Sequence, residues 1–273
     1  VYHSGENNLN NTTETDNDPP GKTPANSGSL QDRVILITGG VHRLGANTAR
    51  YLHKEGARLV LHYRNSRGSA HALQKELNAR RADSVVLVRA DLLDHASLPA
   101  VVADALSAWG QLDVLINNAS SFYPTPIGSV TESEWNDLLG TNLKAPFFLS
   151  QAAAPHLKES HGCIVNIADI HAERPLKRYP VYSIAKGGLV MLTKALACEL
   201  GPEIRVNAVA PGAILWPERE MDEVTQQRIV SRTFLKRQGH PDNIASAVLF
   251  LIRDAVYSSG QVITVDGGRS LNN

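Results

Sequence analysis

Cysteine is nearly absent: the 273 residues contain two, Cys163 and Cys198, so no disulfide framework can hold this fold together. Neither has a cysteine neighbour or metal-ligand spacing, and both are expected to be buried thiols in a reducing, cytoplasmic setting. An excess of one charge is also missing. Lys plus Arg number 27 and Asp plus Glu 27, which removes the basic bias of a nucleic-acid binder and any attraction to an anionic membrane surface. Apolar runs stop short of the roughly 18 to 20 residues that span a bilayer, so neither membrane nor nucleic acid is an expected partner. His42 and His171 stand apart from other ligand-type residues, and no metal is expected. Aliphatic side chains are scarce at the start of the chain. Residues 1–31 are expected to be a disordered polar tail without a secretory or transit pattern, since Glu6, Glu14, Asp16 and Asp18 face only Lys22 there.

What is present is an alternation. Apolar runs at 33–38, 58–62, 85–89, 114–117, 163–168, 205–210 and 261–265 predict strands, and stretches at 44–55, 69–80, 96–109, 131–138, 143–158, 183–200 and 241–252 predict helices. Repeated strand–helix–strand units need right-handed crossovers and give a parallel sheet with helices on both faces. Residues 32–273 therefore read as one α/β domain, a Rossmann-type doubly wound sheet. Ligands of such sheets bind beyond the carboxyl ends of the strands.

The first strand runs into Thr38-Gly39-Gly40-Val41-His42-Arg43-Leu44-Gly45. Glycines there let the backbone approach a pyrophosphate, and the following helix start offers free amides. Arg43 adds a forked donor for a phosphate or a polar ligand edge. After the second strand an acid would bind the ribose hydroxyls of NAD, but this chain has His62-Tyr63-Arg64-Asn65-Ser66. A cation with hydroxyl and amide donors favours a 2′-phosphate, so NADP(H) is the expected cofactor. Asp91-Leu92, after the third strand, is placed to cover the adenine. Tyr182 and Lys186 are four residues apart, which on a helix sets phenol and ammonium on one face. An ordinary phenol titrates near ~10, and a neighbouring cation is expected to bring it down. Thirteen residues before the tyrosine stands Asp169.

With the glycine turn, Asn117-Asn118-Ala119, Asn142, Tyr182 and Lys186, Pro211-Gly212 and Asp266-Gly267-Gly268 in order, residues 33–269 resemble the short-chain dehydrogenase/reductases. Arg43-Leu44-Gly45, His62-Tyr63 with Ser66, the run from Asn118 to Pro124, and Asp169 where serine is usual resemble one branch, the pteridine reductases. The resemblance implies a cofactor site of Gly39, Arg43, Leu44, Gly45, His62, Tyr63, Arg64, Asn65, Ser66, Asp91, Leu92, Asn118, Ala119, Ser120, Lys186, Pro211 and Gly212. It implies a pterin site of Arg43, Ser120, Phe122, Asp169, Tyr182 and Trp216. Asn65 departs from the basic residue often found in protozoal members, and Trp216-Pro217-Glu218 looks closer to bacterial relatives. A homotetramer is implied, and the small and apolar residues of 143–157 and 187–200 suit close packing between subunits.

Reduction of a ring C=N puts hydride on carbon and a proton on nitrogen. Tyr182 backed by Asp169 is expected to pass that proton, with Lys186 lowering the phenol and holding the nicotinamide ribose, and Asn142 supporting a solvent proton path. Phe122 offers a face for a flat ring. The competing expectations are an NADPH-dependent carbonyl reductase acting on 3-oxoacyl or sugar substrates, and a non-catalytic NADP-sensing protein on the same fold.

Overall fold

The computed structural model describes residues 29–216 and 222–272. Seven parallel strands form one sheet in the order β3-β2-β1-β4-β5-β6-β7: β1 Val34–Ile37, β2 Arg58–Tyr63, β3 Val85–Arg89, β4 Val114–Asn117, β5 Cys163–Ile167, β6 Arg205–Pro211 and β7 Val262–Val265. The chain moves outward from β1 to β3, then returns to place β4 on the other side of β1. That reversal leaves a crevice at the β1/β4 carboxyl ends. Helices α1 Arg43–Lys54, α2 Arg67–Asn78 and α8 Pro241–Arg253 supply the core on one face of the sheet. Helices α3 Leu98–Trp109, α5 Ala145–Glu159 and α6 Pro180–Leu200 supply the core on the other. β1 and β4 are buried on both faces, which is why they read as unbroken apolar runs rather than alternating ones.

Two features of the interior position the site. Asn117 at the end of β4 donates to Asn166 Oδ1 of β5 at 2.8 Å, and Asn166 donates to Thr193 Oγ1 of α6 at 2.9 Å. Each such buried bond contributes about 1 kcal/mol and would cost more if broken from one side, so α6 is tied in register with the strand ends. Between α4 (Glu132–Leu139) and α5 the helix widens into a π turn, Gly140–Lys144, that carries Asn142 fully buried. Such widened turns recur at functional sites because they turn one side chain out of the regular helical sequence of faces.

The sequence-based boundaries need adjustment in four places. Leu30 is buried and its amide donates to Glu55 O at 2.9 Å, so residues 29–31 belong to the folded body; the tail expectation for 1–28 lies outside the described residues. α6 begins at Pro180, whose fixed φ suits a first helical position, and this places Tyr182 in the opening turn. Helix α7 (Glu223–Ser231) has no buried residue and hence no apolar stripe for a pattern to reveal. Cys163 is buried in β5, but Cys198 is exposed on α6, against the expectation of two buried thiols. By length and composition alone α6 could cross a membrane; here its buried residues join the cores beside β5 and β6.

Candidate active site

Beyond the end of β1, Thr38 anchors the glycine turn to β4. Its hydroxyl accepts from the amides of Asn118 and Ala119 at 2.9 and 3.0 Å, and Asn118 Nδ2 returns bonds to the Thr38 and Gly39 carbonyls at 2.8 and 3.1 Å. Gly39 has φ +59°, and a Cβ there would sit 3.1 Å from Ala119 Cα. Both facts call for glycine. Helix α1 then starts at Arg43 with His42 as an N-cap whose side chain makes no capping bond. Its first amides therefore remain available to an anion, with the helix dipole adding to their pull. Arg64 and Asn65 are exposed at the end of β2, and Arg64 Nη1 lies 3.9 Å from Asp91 Oδ1. Ser66 caps α2 without using its side chain. These groups fit a dinucleotide with a charged ribose substituent: a backbone cradle, a helix start, and a guanidinium at the far end.

The reactive groups gather beyond β5. Asp169 accepts the His171 amide on Oδ1 at 2.8 Å, and on Oδ2 it accepts the Tyr182 hydroxyl at 2.8 Å. Lys186 is buried and donates to Ile167 O at 2.9 Å, with its ammonium 5.8 Å from the Tyr182 ring centroid. Burial pushes Lys186 down to about 8, with Asp169 pulling the other way. The phenol of Tyr182 is raised well above its usual value, first by burial and then by the Asp169 carboxylate, while a hydrogen bond with Ser120 opposes the rise. Ser120 donates to Asn142 Oδ1 at 2.6 Å, and the Asn142 amide is used by the carbonyls of Leu138 and Ser121 at 2.9 and 3.0 Å. Asn142 thus orients Ser120.

This arrangement corrects one expectation. The ammonium of Lys186 is spent on a backbone carbonyl, and the nearest partner of the phenol oxygen is a carboxylate, so the tyrosine keeps its proton more tightly than a free phenol does. The i,i+4 spacing sets the ammonium 5.8 Å from the ring centroid, while the hydroxyl bonds to Asp169.

Most residues singled out from the sequence meet at the strand ends, but some in a different capacity. Tyr63 and Leu92 are mostly buried, with their side chains packed in the core. His62 is likewise buried, with both ring nitrogens engaged by the protein. Leu44 is partly buried against the α1 core. Pro211 closes β6, and Gly212 packs against Asp266, where a Cβ would lie 2.5 Å from the Asp266 Cβ. Arg43 reaches across to donate to Trp216 O at 2.7 Å, drawing the segment after β6 over the cofactor turn. Pro217 and Glu218 lie outside the described residues. Phe122, 44 % exposed, stacks on Tyr179 at 4.7 Å between centroids and meets Tyr182 edge-on at 4.8 Å. Sequence reading missed Tyr179, the N-cap of α6 three residues before Tyr182. It also missed Arg269, a partly buried guanidinium that feels the Asp169 charge. No local spacing could signal that approach across a hundred residues.

A family model described as enoyl-(acyl carrier protein) reductase matches residues 40–270. The chain belongs to the short-chain dehydrogenase/reductases. It is therefore built as an oxidoreductase. Among its relatives are pteridine reductase 1 of Leishmania tarentolae, 36 % identical over 87 % of this chain and 96 % of that protein, and a putative granaticin polyketide synthase ketoacyl reductase of Streptomyces violaceoruber, 35 % identical over 87 % and 96 %. A 3-oxoacyl-acyl-carrier-protein reductase of Staphylococcus aureus is 34 % identical over 86 % and 97 %. Identity this even across different substrates leaves the choice among them to the site itself.

Proposed function

We propose that this short-chain dehydrogenase/reductase is an NADPH-dependent pteridine reductase, taking dihydropterins of the dihydrobiopterin or dihydromonapterin type to their tetrahydro forms, with dihydrofolate as a further candidate substrate. The observation that carries the reading is the 2.8 Å bond from the Tyr182 hydroxyl to Asp169 Oδ2. Hydride addition to a ketone builds negative charge on oxygen, and a carboxylate within a few ångström raises that barrier. Hydride addition to a ring C=N is helped by proton transfer to nitrogen, which builds positive charge, and the same carboxylate lowers that barrier. NADPH, when bound, supplies the hydride. The chain's own residues do the rest: Tyr182 delivers the proton, Asp169 orients the hydroxyl and stabilises the charge, and Asn142 holds Ser120 beside the site. The outer face of Phe122 offers a surface for a flat heterocycle. Arg64, standing where an acid would select NAD, supports NADPH. The exposed Phe147 of α5 and Ile184 and Met191 of α6 support association into a homotetramer.

The even identity to ketoacyl reductases keeps a carbonyl substrate as the second reading. An NADPH- and NADH-oxidation panel of dihydrobiopterin, dihydromonapterin, dihydrofolate, a 3-oxoacyl thioester and a sugar ketone separates the two. The expected result is turnover of dihydropterins with NADPH over NADH and little turnover of ketones; ketone turnover with inert pterins would reject the pterin assignment.

A further inference from the structure

His62 is the penultimate residue of β2, and its side chain is buried. Its Nδ1 accepts the amide of Gly39 at 3.2 Å, which requires the proton on Nε2, and Nε2 lies 3.1 Å from Ala90 O just past β3. Its own carbonyl accepts the amide of Gly40 at 3.1 Å. One residue of the second strand therefore holds two consecutive amides of the glycine turn and, through the imidazole, joins that turn to the loop that begins with Asp91. An aliphatic residue here would take away the side-chain partner of the half-buried Gly39 amide. The sequence reading made His62 a cofactor contact; the geometry gives it a different task.

We propose that His62 is a positioning residue for the cofactor, whose neutral imidazole holds the Gly39 amide of the turn after β1 and so makes dinucleotide affinity depend on its protonation. The inference rests on the reading of this crevice as a nicotinamide dinucleotide site. A proton on Nδ1 turns the acceptor for Gly39 into a donor facing a donor, and the turn must open. The elements packed against the ring bring no charge at Gly39, Gly40 or Ala90; the charged groups facing it are Asp91, which favours the imidazolium, and Arg64, which disfavours it. Burial, aided by Arg64, outweighs the Ala90 carbonyl and Asp91 and holds the imidazole below its ordinary value. The sign follows. A folded-state value below the unfolded one means that the closed turn is fully stable above the ordinary imidazole value of about 6.5 and is lost progressively as pH falls below it.

The test compares wild type, His62→Asn and His62→Leu by NADPH fluorescence titration from pH 8 to pH 5.5, with peptide-level hydrogen exchange of residues 38–45 in the free proteins. Asparagine puts Oδ1 at the position of Nδ1 and does not titrate. The expected Kd of His62→Asn at pH 8 is within about threefold of wild type, while His62→Leu is weaker by about tenfold or more. At pH 5.5 wild type weakens by about tenfold relative to His62→Asn, a comparison in which titration of the ligand's own phosphate cancels. Parallel pH curves for wild type and His62→Asn, or wild-type affinity in His62→Leu, overturn the proposal. If His62→Leu does not fold, the first comparison decides alone. If wild type does not bind NADPH, the cofactor reading fails separately, and exchange still decides: faster exchange of 38–45 in wild type than in His62→Asn at pH 5.5 supports the role of His62, and equal exchange removes it.

Discussion

Tyr182→Phe lowers kcat for dihydropterin reduction by about 10³-fold, within the range that a positioned general acid contributes. The phenol donates to Asp169, and its raised proton affinity keeps it in the protonated state that a donor needs rather than as a phenolate base. Phenylalanine keeps the edge-on contact with Phe122 and removes only the oxygen. Asp169 retains its bond from the His171 amide, so the loop after β5 stays in place and the stability cost is about 1 kcal/mol. Kd for NADPH should be nearly unchanged, because the glycine turn is held by Thr38, Asn118 and His62 rather than by Tyr182. Steady-state kinetics paired with NADPH titration read both quantities. A loss below tenfold would transfer the proton-donating role to another group.

Gly45→Ala raises Kd for NADPH by a hundredfold or more and lowers the thermal midpoint. A Cβ on Gly45 would collide with the carbonyl oxygen of Gly39 and lie 2.6 Å from Asn118 Nδ2 and 3.0 Å from Gly40 Cα. Asn118 could swing aside, but that would abandon its bonds to Thr38 and Gly39. The Gly39 carbonyl belongs to the turn itself and can retreat only by opening it. Overpacking against backbone costs about 3 kcal/mol, equivalent to about a hundredfold in affinity when the cost falls on the binding-competent turn. Isothermal titration with NADPH and thermal unfolding of the free protein check it. Wild-type affinity in this variant would mean that the turn does not cradle the cofactor as described.

The architecture was legible because the central strands of a doubly wound sheet are buried on both faces and so leave short apolar runs, as in Val34–Ile37 and Cys163–Ile167. Helix α7 escaped because it buries nothing. The site was legible as a set of residue types at strand ends, and those strand ends do converge. Their hydrogen bonds were not legible. Spacing along one helix pointed to Lys186 as the cation at the phenol, whereas its ammonium bonds to Ile167 O; the expected support of Tyr182 by Asp169 is present as a direct hydrogen bond. His62 shows the same limit. Its place at the end of β2 suggested contact with the cofactor, but only the pairing of β2 with β1 and β3 reveals that the ring faces Gly39 and Ala90.

Asp169 bears the choice between a C=N and a C=O substrate, so the most direct measurement is kcat/KM of Asp169→Ser beside wild type on dihydrobiopterin and on a 3-oxoacyl thioester. The account predicts a fall of about 10²-fold or more for the dihydropterin, with ketone turnover equal to or above wild type, because serine removes the negative charge that opposes an oxyanion. Dihydropterin turnover left intact by Asp169→Ser would contradict it.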